Sequence, residues 1–101
     1  MAVSQVEHET QLSAQLKAEG LSPTRWSNGP HAVYGIHEHP YSKILVVASG
    51  SITFIMKRKG AVTIRAGDRL LVSPHTPHSA VVGPSGVVCL EAHVPGTPSE
   101  K

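Results

Sequence analysis

Apolar and polar positions change rhythm once along this chain, at Gly20. Before it, Val6, Leu12 and Leu16 make a thin apolar stripe in a polar segment. Leu12 and Leu16 stand four apart, which places them on one helix face. Ser4 followed by Glu7 fits a capping box, and Gly20 fits a helix exit. The pattern predicts a helix over residues 4 to 19, able to pack across the mouth of the following domain or against a second subunit. A frayed arm is the plain alternative.

Past Gly20 no helical period returns. Pro23, Asn28, Gly29 and Pro30 punctuate short segments. Strands are expected over residues 31–39 (HAVYGIHEH), 43–48 (KILVVA), 51–57 (SITFIMK), 61–65 (AVTIR), 69–73 (RLLVS), 78–82 (HSAVV) and 87–94 (VVCLEAHV). Ser49-Gly50, the Lys57 to Gly60 run, Ala66-Gly67-Asp68, the Pro74 to Pro77 corner and the Gly83 to Gly86 run are read as turns. Ile52, Phe54 and Met56 alternate, so one face of that strand is buried. Ile44 to Ala48 is apolar without alternation, which requires cover on both faces, by a second sheet or a partner subunit. Such a series of short strands predicts an all-β, antiparallel sandwich or barrel. The division expected is an N-terminal helix or arm over 1–20, a β domain over 21–95 and a flexible tail over 96–101.

Composition narrows the function. A chain of 101 residues is one domain. No apolar run reaches the roughly 18 to 20 residues of a membrane helix, so no membrane role is expected. The polar N-terminus has no apolar signal core. The lone Cys89 cannot pair within the chain, and a small buried side chain is its expected role. Together these features suit a cytoplasmic protein. The net charge of +2 gathers in Lys57-Arg58-Lys59, away from the four aromatic residues. A nucleic-acid surface interleaves the two, so nucleic acid is not an expected partner.

Histidine is the residue in excess. Five of seven (His31, His37, His39, His75 and His78) lie within residues 31 to 78, where Glu38 and Asp68 are the only carboxylates. A metal site there must be mostly imidazole. His37 and His39, two apart on a strand, project to one face with α-carbons about 6 to 7 Å apart. Both can reach one ion at roughly 2.0 to 2.1 Å. Glu38 points the other way. A third ligand must come from another strand, and His78, just after the proline corner, is the natural choice, with His75 second. An isolated H-x-H is more often an ordinary pair of polar residues; the independent third histidine is what raises this one.

These segments resemble the two signatures of the cupin superfamily. Gly35 to Gly50 is similar to the first, in which H-x-H precedes a glutamate and a glycine. "GDRLLVSPHTPHSA", Gly67 to Ala80, is similar to the second. The resemblance covers about residues 24 to 94. It implies a double-stranded β-helix, or jelly-roll barrel, with a metal site in its mouth, and pairing into a homodimer. Residue by residue, it makes His37, His39 and His78 the metal ligands. Two positions depart: Lys43 stands where the family usually has its glutamate, and His75 where it usually has glycine.

Lys43 sets the chemistry to be tested. An inward ammonium about 5 Å from a divalent ion, at an effective dielectric near 20, repels it by roughly 6 to 7 kcal/mol. The side chain can swing outward, lose its proton, or leave a metal-free cationic pocket. The expected arrangement is a three-histidine site for a divalent transition metal (Zn, Fe, Ni, Cu or Mn), with Lys43 tilted away and meeting a small anionic molecule. Imidazole ligands do not fix the metal. A metal-free ligand-binding or sensing module around Lys43 is the alternative. Lys43 and His75 are the catalytic candidates, and Lys43, Tyr41 and Trp26 the substrate-binding candidates. Whether the chain is an enzyme is left open. Glu91 and His93 share a face of the last strand and could supply a carboxylate, although an exposed face is the default. Arg69 is expected to be solvated or paired with Asp68.

Overall fold

The computed structural model describes residues 5–57 and 59–94. Ser4, Arg58, the expected tail and the side chain of Val6 lie outside the described residues. One helix and six strands follow in order: α1 (Gln5–Ala18), β1 (Thr24–Asn28), β2 (Val33–His37), β3 (Lys43–Met56), β4 (Gly60–Arg65), β5 (Arg69–Val72) and β6 (His78–His93).

All pairings are antiparallel. β3 and β6 pair along their whole length, from Lys43 opposite His93 to Met56 opposite His78. Their outer halves belong to different layers. In the first layer β1 adds to Val87–Glu91 of β6 and β5 to Lys43–Val46 of β3. In the second, β2 adds to His78–Val81 of β6 and β4 to Ser51–Met56 of β3. Six strands thus make two four-stranded layers. The main core lies between them: Leu45, Val47, Val72, Val87 and Cys89 from one side meet Ile52, Phe54, Met56, Ile64, Ala80 and Val82 from the other.

Two expected turns are not turns. Ser49-Gly50 and Gly83 to Gly86 lie inside the long strands, where the β3–β6 register shifts between Val47 and Ser49 and again between Gly50 and Ile52. Gly50 and Gly86 take positive φ values of 77° and 79° there. A Cβ on Gly50 would land on the Gly86 carbonyl oxygen. Glycine permits both the left-handed backbone and the close approach. The two strands therefore bend together and pass from one layer to the other instead of reversing. β1 is a further difference: Trp26 lies opposite Cys89 in a strand the punctuation had hidden.

α1 does not cross the mouth. It lies on the outer face of the first layer, where Leu16 and Leu21 are buried with Val46, Leu90 and Ala92, and Leu12 and Ile44 pack at the edge. This explains the unalternating run Ile44 to Ala48. Its odd positions face the interlayer core and Val46 faces the helix, so cover comes from this chain's own α1. Arg69 reaches the turn just past this helix, donating to both carboxylate oxygens of Glu19 at 2.8 and 2.9 Å, and this bond holds the Glu19 carboxyl below its usual range. Asp68 instead accepts from the Arg65 backbone N–H at 2.9 Å.

Candidate metal and ligand site

The site forms where β2 ends and β6 begins. His37, the last residue of β2, lies opposite His78, the first of β6, and His78 is also opposite Met56 on β3. A central strand position with neighbours on both sides leaves His78 only 4% exposed. β2 carries a register irregularity between Tyr34 and His37. Simple alternation from Val33 to His39 therefore fails: Val33 and Ile36 are exposed, while Tyr34 and His37 both line the interior cavity. His39 lies past the end of β2, in the segment leading to β3.

The three expected histidines still converge. One ring nitrogen from each of His37, His39 and His78 lies within 4.8 Å of the others. Their ring centroids are 4.3 Å apart for His37–His78, 5.0 Å for His37–His39 and 5.3 Å for His39–His78. His37 Nδ1 donates to the Gly35 carbonyl and His78 Nδ1 to that of Thr76, each at 2.8 Å. That occupies Nδ1 of both rings and leaves Nε2 as the nitrogen turned to a shared ion. Burial pushes the pKa of His78 down, and burial together with the neighbouring Lys43 pushes that of His39 to about 4. His39 is therefore neutral at pH 7. Its Nδ1 is buried without a hydrogen-bond partner.

Lys43 does not tilt away. It shares strand parity with Leu45 and Val47, both in the interlayer core, so it enters the interior and is only 12% exposed. Its Nζ lies 3.3 Å from His39 Nε2 and 3.4 Å from Glu91 Oε2. Glu91 is not on an exposed face either: it lies opposite Leu45, lines the cavity and accepts from Trp26 Nε1 at 2.8 Å. The charge of Lys43 is thus matched by a carboxylate from the adjacent strand, so the pocket is not simply cationic. Parity with the buried Cys89, two residues earlier, is the signal that marked Glu91 as inward. Burial pushes the Cys89 thiol up to about 12.

A cavity of about 300 Å³ adjoins the histidines. Trp26, Tyr34, Leu45 and Phe54 give it apolar walls, and Lys43, Glu91, His37 and His78 give it polar ones. Trp26 packs edge-on against Tyr34 at 5.7 Å. Tyr41 does not line this cavity; its ring stacks on His93 at 3.8 Å and tilts toward His39 at 5.2 Å. His75 stands outside the histidine group, its side chain 61% exposed and 3.4 Å from Glu38. Its backbone carries more of its role. It adopts φ 55°, the left-handed conformation for which glycine is the usual residue, and its N–H donates to the His39 carbonyl at 2.7 Å. That bond ties the two histidine-bearing segments together.

A two-layer β-helix with three histidines gathered beside an interior cavity is the cupin architecture. Residues 24–93 match the AraC-like ligand binding domain family, and the chain belongs to it. Among solved structures the fold is similar to the DMSP lyase DddQ from Ruegeria pomeroyi, at 18% identity and a TM-score of 0.68, covering 75% of this chain and 39% of that one. It is similar to an RmlC-like cupin from Shewanella frigidimarina, at 23% identity and a TM-score of 0.64, covering 80% and 71%. It is also similar to KdgF from Halomonas sp., at 23% identity and a TM-score of 0.61, covering 72% and 67%. The chain spans about two fifths of the length of the DMSP lyases it resembles. A search of curated protein sequences finds no match. No helix among the described residues is long and apolar enough to cross a membrane.

Proposed function

We propose that His37, His39 and His78 hold one divalent transition metal at the mouth of the cavity, and that the cavity binds a small molecule beside it. The observation that carries this reading is the convergence of three imidazoles from two sequence-distant segments, two of them with Nδ1 held by a backbone carbonyl and Nε2 left to ligate. Imidazole donors suit Zn, Fe, Ni or Cu, with Mn favouring added oxygen ligands. A bound metal would supply Lewis acidity toward a ligand oxygen. The chain's own groups do the rest. Trp26, Tyr34 and Phe54 exclude water and pack an apolar ligand face, while Lys43 and Glu91 present one donor and one acceptor. The volume stands at the small end of ligand pockets, and membership of a ligand-binding family agrees with a small molecule.

The test is elemental analysis of protein purified without a histidine tag, repeated on His78→Ala. Stoichiometric metal that disappears in the variant is the expected result. Metal-free protein whose melting temperature ignores added divalent ions would overturn the reading. The contact between Lys43 and His39 favours a second reading, a metal-free binding module. Ligand affinity unchanged by chelator would select it.

We also propose that the chain pairs with a second copy through the outer face of the second layer. Val33, Ile36, Ile55 and Val81 are exposed there beside the uncharged Thr53, Thr63 and Ser79, with the exposed Arg65 at the edge. A face whose centre is apolar and uncharged meets its own image there without repulsion.

A further inference from the structure

Lys43 is placed as a bound ion would be placed. Its stem enters the interior beside Leu45, and its Nζ lies between a histidine nitrogen and a carboxylate oxygen. The carboxylate is itself anchored, because Glu91 accepts from the Trp26 indole on its other oxygen. The Tyr41 ring lies 5.9 Å from the ammonium and adds a cation–π contact. An ammonium carries three donors and no acceptor. Its contact with His39 Nε2 therefore uses the lone pair of that nitrogen. The proton of the neutral ring is then on Nδ1, the atom that is buried without a partner. In this state neither nitrogen of His39 can ligate a metal, while Nε2 of both His37 and His78 can.

We propose that Lys43 is a resident cation that competes with the metal for His39. Metal binding requires the ammonium to leave His39 Nε2, and the bond to Glu91 keeps it inside the cavity after it has left. Occupancy of the site is thereby weakened and tied to the position of one side chain. The freed ammonium then faces the cavity, where an anionic group on a ligand would hold it away from the ion. This inference rests on the metal reading above and goes further, because it assigns Lys43 a role in setting affinity.

The experiment measures Zn²⁺ affinity by calorimetry on wild type, Lys43→Met and Lys43→Glu, all stripped of metal first. Methionine keeps the length and removes the charge. Glutamate restores the carboxylate of the family pattern and serves if the methionine variant aggregates. Binding at least tenfold tighter in both variants is the expected result. In parallel, ¹⁵N spectra of the metal-free wild type should show His39 protonated on Nδ1 and unprotonated on Nε2, the tautomer that the Lys43 contact requires, and this preference should be lost in Lys43→Met. Equal affinity in wild type and variants overturns this inference and leaves the metal site standing. Absence of binding in all three overturns both. A His39 ring protonated on Nε2 also overturns the inference.

Discussion

The two outer faces of the sandwich are built from the same two long strands, yet among the described residues only one is covered by a helix. Behind the first layer, Leu16 of α1 is 0% exposed among Leu21, Val46, Leu90 and Ala92. Behind the second, Val33 and Ile36 stand 73% and 79% exposed, with Ile55 and Val81 beside them. The difference is local in sequence. Ile44 to Ala48 is apolar at every position, whereas Ile52 to Met56 alternates with Thr53 and Ile55 on its outer side. A strand sandwiched between a core and a helix loses its alternation; one with a wet or shared face keeps it. The covered face supports the site, since Lys43 and Glu91 extend inward from the very strands that α1 braces.

The largest test of this contrast is Leu16→Ala. Removing a fully buried leucine between helix and sheet should cost about 2 to 5 kcal/mol, the spread depending on how far α1 can settle into the gap. Urea denaturation should show a lower midpoint with an unchanged slope. A loss below about 0.5 kcal/mol would mean that α1 is not part of the folded unit, and the two faces would then be alike.

How far the sequence carried this architecture depends on what each feature rests on. The covered face was readable from Ile44 to Ala48 because burial on two sides leaves a direct mark on composition. The cover itself was not: Leu12 and Leu16 announce a helix but not the surface that receives it. Gly50 and Gly86 were read as turns, since a glycine with positive φ serves a turn and a bulge equally well. Two strands that bend instead of reversing leave the same local pattern. In the site, His37, His39 and His78 were legible by type and spacing. Their exact presentation was not, because the irregularity in β2 breaks the alternation that the reading assumed. Glu91 and Lys43 were misplaced for a different reason, although parity with Cys89 and with Leu45 already pointed both inward. Each was taken as an unpartnered charge, which favours solvent, and their mutual pairing is a cross-strand fact that only register reveals. His75 at a glycine position became intelligible only with its φ of 55°.

A middle-sized test lies at the far edge of the covered face. His8 Nδ1 is 3.1 Å from the Ala48 carbonyl and donates to it, next to the point where β3 begins to bend. Its backbone partner is part-buried, so His8→Ala should cost about 1 kcal/mol. Hydrogen exchange gives the sharper readout. Amides of α1 should lose protection while those of β2 and β4 keep theirs. Uniform loss across both layers would show that the helix and the second layer open together, and that the covered and bare faces do not behave as separate units.

The smallest effect on stability should come from the bare face, and it separates two reasons for leaving apolar side chains in water. Val33→Thr with Ile36→Thr removes two exposed apolar groups while keeping β-branched side chains suited to a strand. If the face is simply solvated, the double variant stays within about 0.5 kcal/mol of wild type and sediments identically. If the face is shared between two copies, folding of each protomer is again little changed, but the wild type sediments as a dimer and the variant as a monomer. The second outcome is the expected one. It would mean that both outer faces of the sandwich are covered after all, one by the chain's own helix and the other by a second copy of the same sheet.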